Sequence, residues 1–116
     1  MNTRSRKNKG KRLQNKVRDL LLEQFKDVLE QDDVRSTTMG ESGEDIQLSP
    51  AARKLIPYAI ECKNQESLSI WKSLEQAESN SNGYEPLLIF KRNRSKTYVT
   101  MDIKEFLRLL SESKNS

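Results

Sequence analysis

The chain has 116 residues, enough for one domain with a modest core, and it is one-third charged with a mean hydropathy of -0.86. It holds one cysteine and no histidine, which excludes an internal disulfide, zinc sites built from Cys and His, and Ser-His-Asp or Cys-His catalysis. The net charge of +4 is uneven. Arg4, Arg6, Lys7, Lys9, Lys11, Arg12, Lys16 and Arg18 precede any acid, and the rest of the chain carries 13 basic against 17 acidic residues. Such a basic arm on a weakly acidic body suits a polyanion, since each phosphate neutralised releases counterions; a solubilising tail is the alternative. No apolar run approaches the roughly 20 residues of a membrane span, and none follows the basic N-terminus as a secretory signal requires. The unpaired cysteine fits a reducing, cytoplasmic setting.

Residues 1–9 are expected to form a flexible arm, residues 10–111 a single domain, and residues 112–116 a tail. From Lys11 a helix is expected to about Glu30, with Leu13, Val17, Leu20, Leu21, Val28 and Leu29 at helical spacing. A strand should span Val34 to Met39, followed by a Gly40 to Gly43 loop and a short strand from Asp45 to Leu48. Ser49-Pro50 is a helix start, Ser as N-cap and Pro at the first helical position, for one turn stopped by Pro57. Tyr58 to Lys63 reads as a third strand. A helix from Ser67 to Glu78 should bury Leu68, Ile70, Trp71, Leu74 and Ala77. Trp71 is placed as its core anchor, with a base-stacking platform as the other reading. Asn80 to Gly83 is a turn. Leu87 to Lys91 and Lys96 to Met101 are strands around a basic hairpin tip. Asp102 and Glu105 form a capping box for a last helix to Leu110. The order is αβββαββα, an α/β domain with a mixed sheet.

On the third strand, alternation turns Tyr58, Ile60 and Cys62 one way and Ala59, Glu61 and Lys63 the other. Glu61 and Lys63 therefore share a face, roughly 6.5 to 7 Å apart along the chain. If Asp45 ends a neighbouring strand, its carboxylate can meet that of Glu61. Two carboxylates and the backbone carbonyl of Cys62 would give Mg²⁺ or Mn²⁺ an oxygen site, with Lys63 facing the charge that develops on a phosphate. Acidic-x-Lys alone is a very weak pattern; it also occurs at Asp102-Ile103-Lys104 and Glu112-Ser113-Lys114, and a surface ion pair is the alternative reading. Only Glu61-Cys62-Lys63 lies on an expected strand with an acid on the strand before.

The stretch Gly43-Glu44-Asp45-Ile46, then Ile60-Glu61-Cys62-Lys63-Asn64 and the helix with Trp71 and Gln76, resembles the PD-(D/E)xK nucleases over about residues 9 to 110. It is most like small phage-type endonucleases and Holliday-junction resolvase-like members. The resemblance implies a restriction-endonuclease-like αβββαβ core with a central mixed sheet, to which this chain adds a strand and a C-terminal helix. It implies Mg²⁺-dependent hydrolysis of DNA phosphodiesters, with Asp45, Glu61 and Lys63 catalytic and Asp45, Glu61 and the Cys62 carbonyl on the metal. It also implies a branched-DNA substrate in recombination and a homodimer for two coordinated cuts, in a bacterial or phage-infected cell. A non-catalytic DNA-binding protein that keeps the fold is the competing reading.

Two positions depart from the pattern. Glu44 replaces the usual proline and could add a peripheral carboxylate. Gln14 stands where resolvase-like members carry a helical glutamate after a glycine, so it could hydrogen-bond a metal-bound water or serve only the helix surface. Gln76 is a further candidate near the site, with a solvated helix face as its other reading. For DNA contacts the candidates are Arg4, Arg6, Lys7, Lys9, Lys11 and Arg12 on the arm and Lys91, Arg92 and Arg94 near the hairpin tip, where Lys96 extends the cluster. A charged turn that merely aids solubility is the alternative for the tip.

Overall fold

Leu13 and Val17, one helical turn apart, are buried on one face of the first helix, α1 (Thr3–Gln24). The computed structural model describes residues 3–37 and 43–115, and α1 begins at the first of them. Its start thus precedes the expected Lys11, and Arg4, Arg6, Lys7 and Lys9 lie on its opening turns. Lysine and arginine are good helix formers, so a charge run that reads as a loose arm can propagate the helix that follows it. At the other end α1 stops at Gln24, short of Glu30. The chain then turns back through Val28 N–H to Phe25 C=O (2.9 Å) and Leu29 N–H to Phe25 C=O (2.8 Å), which buries Leu29.

A 3-10 turn (Gln31–Asp33) leads into β1 (Val34–Ser36), which pairs antiparallel with β2 (Ile46–Leu48), Ser36 opposite Ile46. The expected continuation to Met39 and most of the Gly40–Gly43 loop lie outside the described residues. Helix α2 (Pro50–Leu55) starts as its sequence dictates: Ser49 Oγ accepts from Ala52 N–H at 3.1 Å and donates to Asp33 Oδ1 at 2.6 Å.

The second sheet is mixed, in the order β3-β4-β5. Strand β3 (Tyr58–Asn64) lies parallel to β4 (Glu85–Lys91), with α3 (Ile70–Ser79) as the crossover, and β4 pairs antiparallel with β5 (Tyr98–Thr100). Helix α4 (Ile103–Asn115) completes the α/β fold. Tyr58, Ile60 and Cys62 join Leu13, Val17, Val34, Ile46 and Leu87 in the main core on the α1 side. Ala59 and Glu61 are buried on the other face, opposite Pro86 and Leu88 of β4.

Two side chains depart from expectation. Trp71 is 78% exposed and anchors nothing, because α3 presents Ser73 and Ala77 to the sheet instead. These small residues sit one turn apart and are the ones α3 buries where it packs on β3 and β4. Glu105 does not complete a capping box. Asp102 Oδ1 accepts from Lys104 N–H at 2.7 Å, but the Glu105 carboxylate is taken by Tyr58 and Arg108. Among the described residues, no helix is long and apolar enough to cross a membrane.

Candidate active site

Asp45 sits where the two sheets meet. Its N–H donates to the Ile60 carbonyl of β3 at 3.0 Å, while its own carbonyl accepts from Thr37 N–H at 2.9 Å. Its side chain turns to the same edge of β3, where Oδ2 accepts from Cys62 N–H at 2.7 Å. In an extended strand the N–H and C=O of one residue point to the same edge, so the Cys62 carbonyl faces the Asp45 side of β3. The backbone thus fixes one carboxylate beside one outward carbonyl.

Glu61 enters from the face that α3 covers. It is 3% exposed, and its Oε1 accepts from Asn80 Nδ2 at 3.2 Å. Asn80 caps the C-terminus of α3, its N–H bonded to Gln76 C=O and Glu78 C=O. The close packing of Ser73 and Ala77 therefore sets the distance from Asn80 to Glu61. Burial and the neighbouring Asp45 charge push the Glu61 carboxyl up to about 7. Asp45 is raised as well, by burial, against the lowering effects of Cys62 N–H, a hydrogen bond with Glu61 and the charge of Lys63. The two carboxyls are close enough to share a hydrogen bond, and Lys63, half-buried on the Glu61 face, acts electrostatically on both. Burial, then the Asp45 and Glu61 charges, push the Cys62 thiol far up, so it is a protonated core side chain with no nucleophilic role.

An aspartate at a sheet junction, facing an acidic-x-Lys strand, is the arrangement implied by the sequence resemblance. A family model for "phage putative PDDEXK endonuclease" matches residues 5–116. The chain belongs to that family. No curated protein and no solved structure matches it. As a PDDEXK-family chain it is assigned nuclease activity in general, and DNA as the class of its substrate.

The site suits a hard divalent cation of the kind PDDEXK nucleases use. Its donors are all oxygens, and burial raises both carboxyls above their ordinary values, a cost that a bound cation would offset. Among the described residues no group of three or more His, Cys, Asp or Glu side chains is placed to hold a metal ion, and Asp45, Glu61 and the Cys62 carbonyl are the oxygens that could hold one.

The remaining candidates separate by what they touch. Gln14 is buried and its Oε1 accepts from Ser36 Oγ at 2.9 Å, which ties α1 to β1 next to Thr37. Glu44 spends both oxygens on Arg53 Nη2, at 2.6 and 2.5 Å; Arg53 also donates to Tyr58 C=O at 2.7 Å and stacks 4.0 Å over the Tyr84 ring. Gln76 is exposed, and its backbone carbonyl serves the α3 cap. Asn80, the C-cap of the same helix, is the residue whose side-chain amide reaches Glu61. Its sequence context, Asn80-Ser81-Asn82-Gly83, signals only a turn.

The basic residues divide likewise. Lys11 Nζ is committed to Ser36 Oγ (3.1 Å) and Thr37 C=O (3.0 Å), and Lys91 Nζ to Arg92 C=O (3.0 Å). Arg4, Lys7 and Arg12 are exposed on α1. Arg6 and Lys9 line a cleft of about 370 Å³ with Asn64, Gln65, Glu66 and Ser67, the residues that follow Lys63. Glu66, Arg92, Asn93 and Arg94 line a second cleft of about 480 Å³, so the two share Glu66. Glu66 Oε2 accepts from Asn93 N–H at 2.6 Å, fixing the hairpin tip beside the end of β3. Two cations of the N-terminal helix and two of the hairpin, far apart in sequence, thus flank the exit of the strand that carries Glu61 and Lys63.

Proposed function

We propose that this chain is a Mg²⁺- or Mn²⁺-dependent DNA endonuclease that hydrolyses phosphodiester bonds, with Asp45, Glu61 and Lys63 as its catalytic residues. The observation that carries the reading is the convergence of Asp45, Glu61 and Lys63 beside clefts lined by Arg6, Lys9, Arg92 and Arg94. Asp45 and Glu61, with the Cys62 carbonyl, hold the cation. Bound there, such an ion would supply positive charge to the scissile phosphate and acidity to an attacking water. Asn80 keeps the Glu61 carboxylate aimed, and Cys62 N–H does the same for Asp45. Lys63 offers a positive charge to the extra negative charge on the phosphate oxygens as water attacks. Arg6, Lys9, Arg92 and Arg94 hold flanking phosphates, and Arg4, Lys7 and Arg12 extend that contact along α1.

The substrate is branched DNA of the four-way kind met in recombination, in the cytoplasm of a phage-infected bacterial cell. What supports this is the likeness of the sequence to resolvase-like nucleases. Resolving such a junction takes two coordinated cuts, hence a symmetric pair of chains. The test is a panel of single-stranded, duplex, flap and four-way substrates with Mg²⁺ or Mn²⁺, run beside Asp45→Asn, Glu61→Gln and Lys63→Ala. Cleavage of the four-way substrate by the wild type, abolished in all three variants while binding persists, is the expected result. Tight metal-independent binding with no cleavage of any substrate would make the chain a DNA-binding protein that retains the fold.

A further inference from the structure

Strand β3 has β4 as its one neighbour in the sheet, and its other edge runs past Asp45. On that edge the backbone groups of Tyr58, Ile60 and Cys62 find their partners outside the sheet. Ile60 C=O accepts from Asp45 N–H, and Cys62 N–H donates to Asp45 Oδ2. Tyr58 C=O accepts instead from Arg53 Nη1, at 2.7 Å. Nη2 of the same guanidinium donates to both oxygens of Glu44, the residue before Asp45, and its central carbon sits 4.0 Å from the centre of the Tyr84 ring. Tyr84 closes the turn that follows Asn80, its N–H bonded to Ser81 C=O at 2.9 Å. One side chain therefore touches three segments on which the carboxylates depend: the one that carries Asp45, the strand that carries Glu61, and the turn beside the amide that holds Glu61.

We propose that Arg53 is a positioning residue of the active site: it clamps Glu44 to the start of β3 and so holds the Asp45 carboxylate beside Glu61 and the Cys62 carbonyl. The contacts close a ring. Arg53 binds Glu44, one peptide bond leads to Asp45, Asp45 N–H reaches Ile60 C=O, and two residues back along β3 Tyr58 C=O returns to Arg53. Asp45 cannot swing away from β3 without opening that ring at a charge-assisted bond or at the backbone pair. A planar guanidinium fixes the angle between its partners, which an ammonium on a flexible stem does not. The Arg53 and Glu44 side chains are 16% and 13% exposed, so water competes little for the tie. Glu44, with both oxygens on Arg53, acts as the tether of Asp45 and not as a further carboxylate for the cation.

Two plainer roles fit less well. Helix α2 has its own anchors in the Ser49 cap, which is bonded to Asp33, and in buried Ala52 and Ile56, so it does not need the guanidinium to dock. A phosphate contact is disfavoured because both Nη groups are already engaged. Tyr58 and the clefts beyond Lys63 also lie at opposite ends of a seven-residue strand, roughly 20 Å apart. The inference deepens the proposed function and rests on that reading only for what the two carboxylates hold.

Deleting Arg53 alone would strand the Glu44 charge and risk the fold, so the test uses two other variants of the full chain. Arg53→Lys keeps the charge but not the planar fork, and the double variant Glu44→Met, Arg53→Met removes both charges together. Calorimetric titration with Mn²⁺, without DNA, is expected to show affinity about 10- to 100-fold weaker than wild type in both. Independently of any metal, the Cys62 amide, whose partner is Asp45, should exchange with solvent about tenfold faster or more in NMR spectra of both variants, with the amides of β4 unchanged. Metal-free binding of a four-way junction should stay at the wild-type level. Wild-type Mn²⁺ affinity or wild-type Cys62 exchange in either variant would overturn the proposal, and weakened junction binding in Arg53→Lys would overturn it in favour of a phosphate contact. A wild type that binds no Mn²⁺ would remove the metal-dependent reading, while faster Cys62 exchange in the variants would still establish the clamp.

Discussion

Burial and the facing Asp45 charge push the Glu61 carboxyl up to about 7 from an ordinary 4.5, so the metal-free fold resists the ionised form. Between those values the folded state holds a proton that the unfolded chain has released, and stability falls as pH rises through that window. Glu61→Gln keeps an oxygen for Asn80 and removes the charge. In thermal melts without metal the variant should match the wild type near pH 4 and exceed it by up to a few kcal/mol at pH 8. A wild type that gains stability on the same rise in pH, relative to the variant, would contradict the buried pair. Asn80 acts on the same carboxylate from outside the motif. Its deletion in Asn80→Ala leaves a charged acceptor short of one bond, about 1.5–3 kcal/mol if all of it is expressed in the rate, or roughly 10- to 100-fold in cleavage. Equal rates for Asn80→Ala and wild type would reduce Asn80 to a helix cap.

What the sequence made legible was the periodic part of the fold and the part of the site that lies on one strand. Alternation on β3 suffices to put Glu61 and Lys63 on one face, and Ser49-Pro50 suffices to start α2. Trp71 and Asn80 were illegible for a shared reason: both depend on which side α3 turns to the sheet, and a short helix with apolar residues on two sides does not declare it. The small residues Ser73 and Ala77 decide it, because they are the ones buried where α3 packs on β3 and β4, a place that favours them over a larger ring. Ala77→Leu should therefore cost about 1–3 kcal/mol through overpacking and, by lifting α3, reduce cleavage as well. Trp71→Ala should shift stability by less than about 0.5 kcal/mol, and the fluorescence of the wild type, from its one tryptophan, should peak at the wavelength of a solvated indole. A blue-shifted peak would bring Trp71 back into the core. Helix α4 shows the same limit. Asp102 and Glu105 have capping-box spacing, but Tyr58 and Arg108 are stronger partners for the glutamate and hold its carboxyl down at about 2. That stabilisation is present above the ordinary value near 4.5 and is lost as pH falls toward 2. Accordingly, Glu105→Gln should lower the melting temperature at pH 7 and lose most of that deficit near pH 2.

At the scale of the whole molecule, charge is sorted by location more than by amount. The net of +4 arises from an N-terminal segment with eight cations and no acid and a remainder in which acids outnumber bases. The fold carries Arg6 and Lys9 of that segment to the end of β3 and brings Arg92 and Arg94 to the same place through the hairpin, with Glu66 between them. Other cations of the segment serve the fold: Lys11 ties α1 to β1, and Lys16 Nζ donates to Thr97 Oγ1 at 3.1 Å. A count of basic residues therefore overstates the phosphates the protein neutralises, and the salt dependence of binding should be shallower than eight cations suggest. The logarithm of the binding constant falls with the logarithm of salt at about 0.9 per phosphate contact on duplex DNA. In an Asp45→Asn background, which blocks cleavage, the combined Arg6→Ala, Arg92→Ala and Arg94→Ala variant should lose about 0.9 of slope for each arginine that contacts a phosphate. Lys54→Ala, on α2 ahead of the other end of β3, should bind with the wild-type slope. Fluorescence anisotropy of a labelled four-way junction across a salt series separates the two outcomes. A slope unchanged in the triple variant would mean that DNA does not run along these clefts. A slope reduced equally by Lys54→Ala would mean that it is held by charge spread over the whole surface.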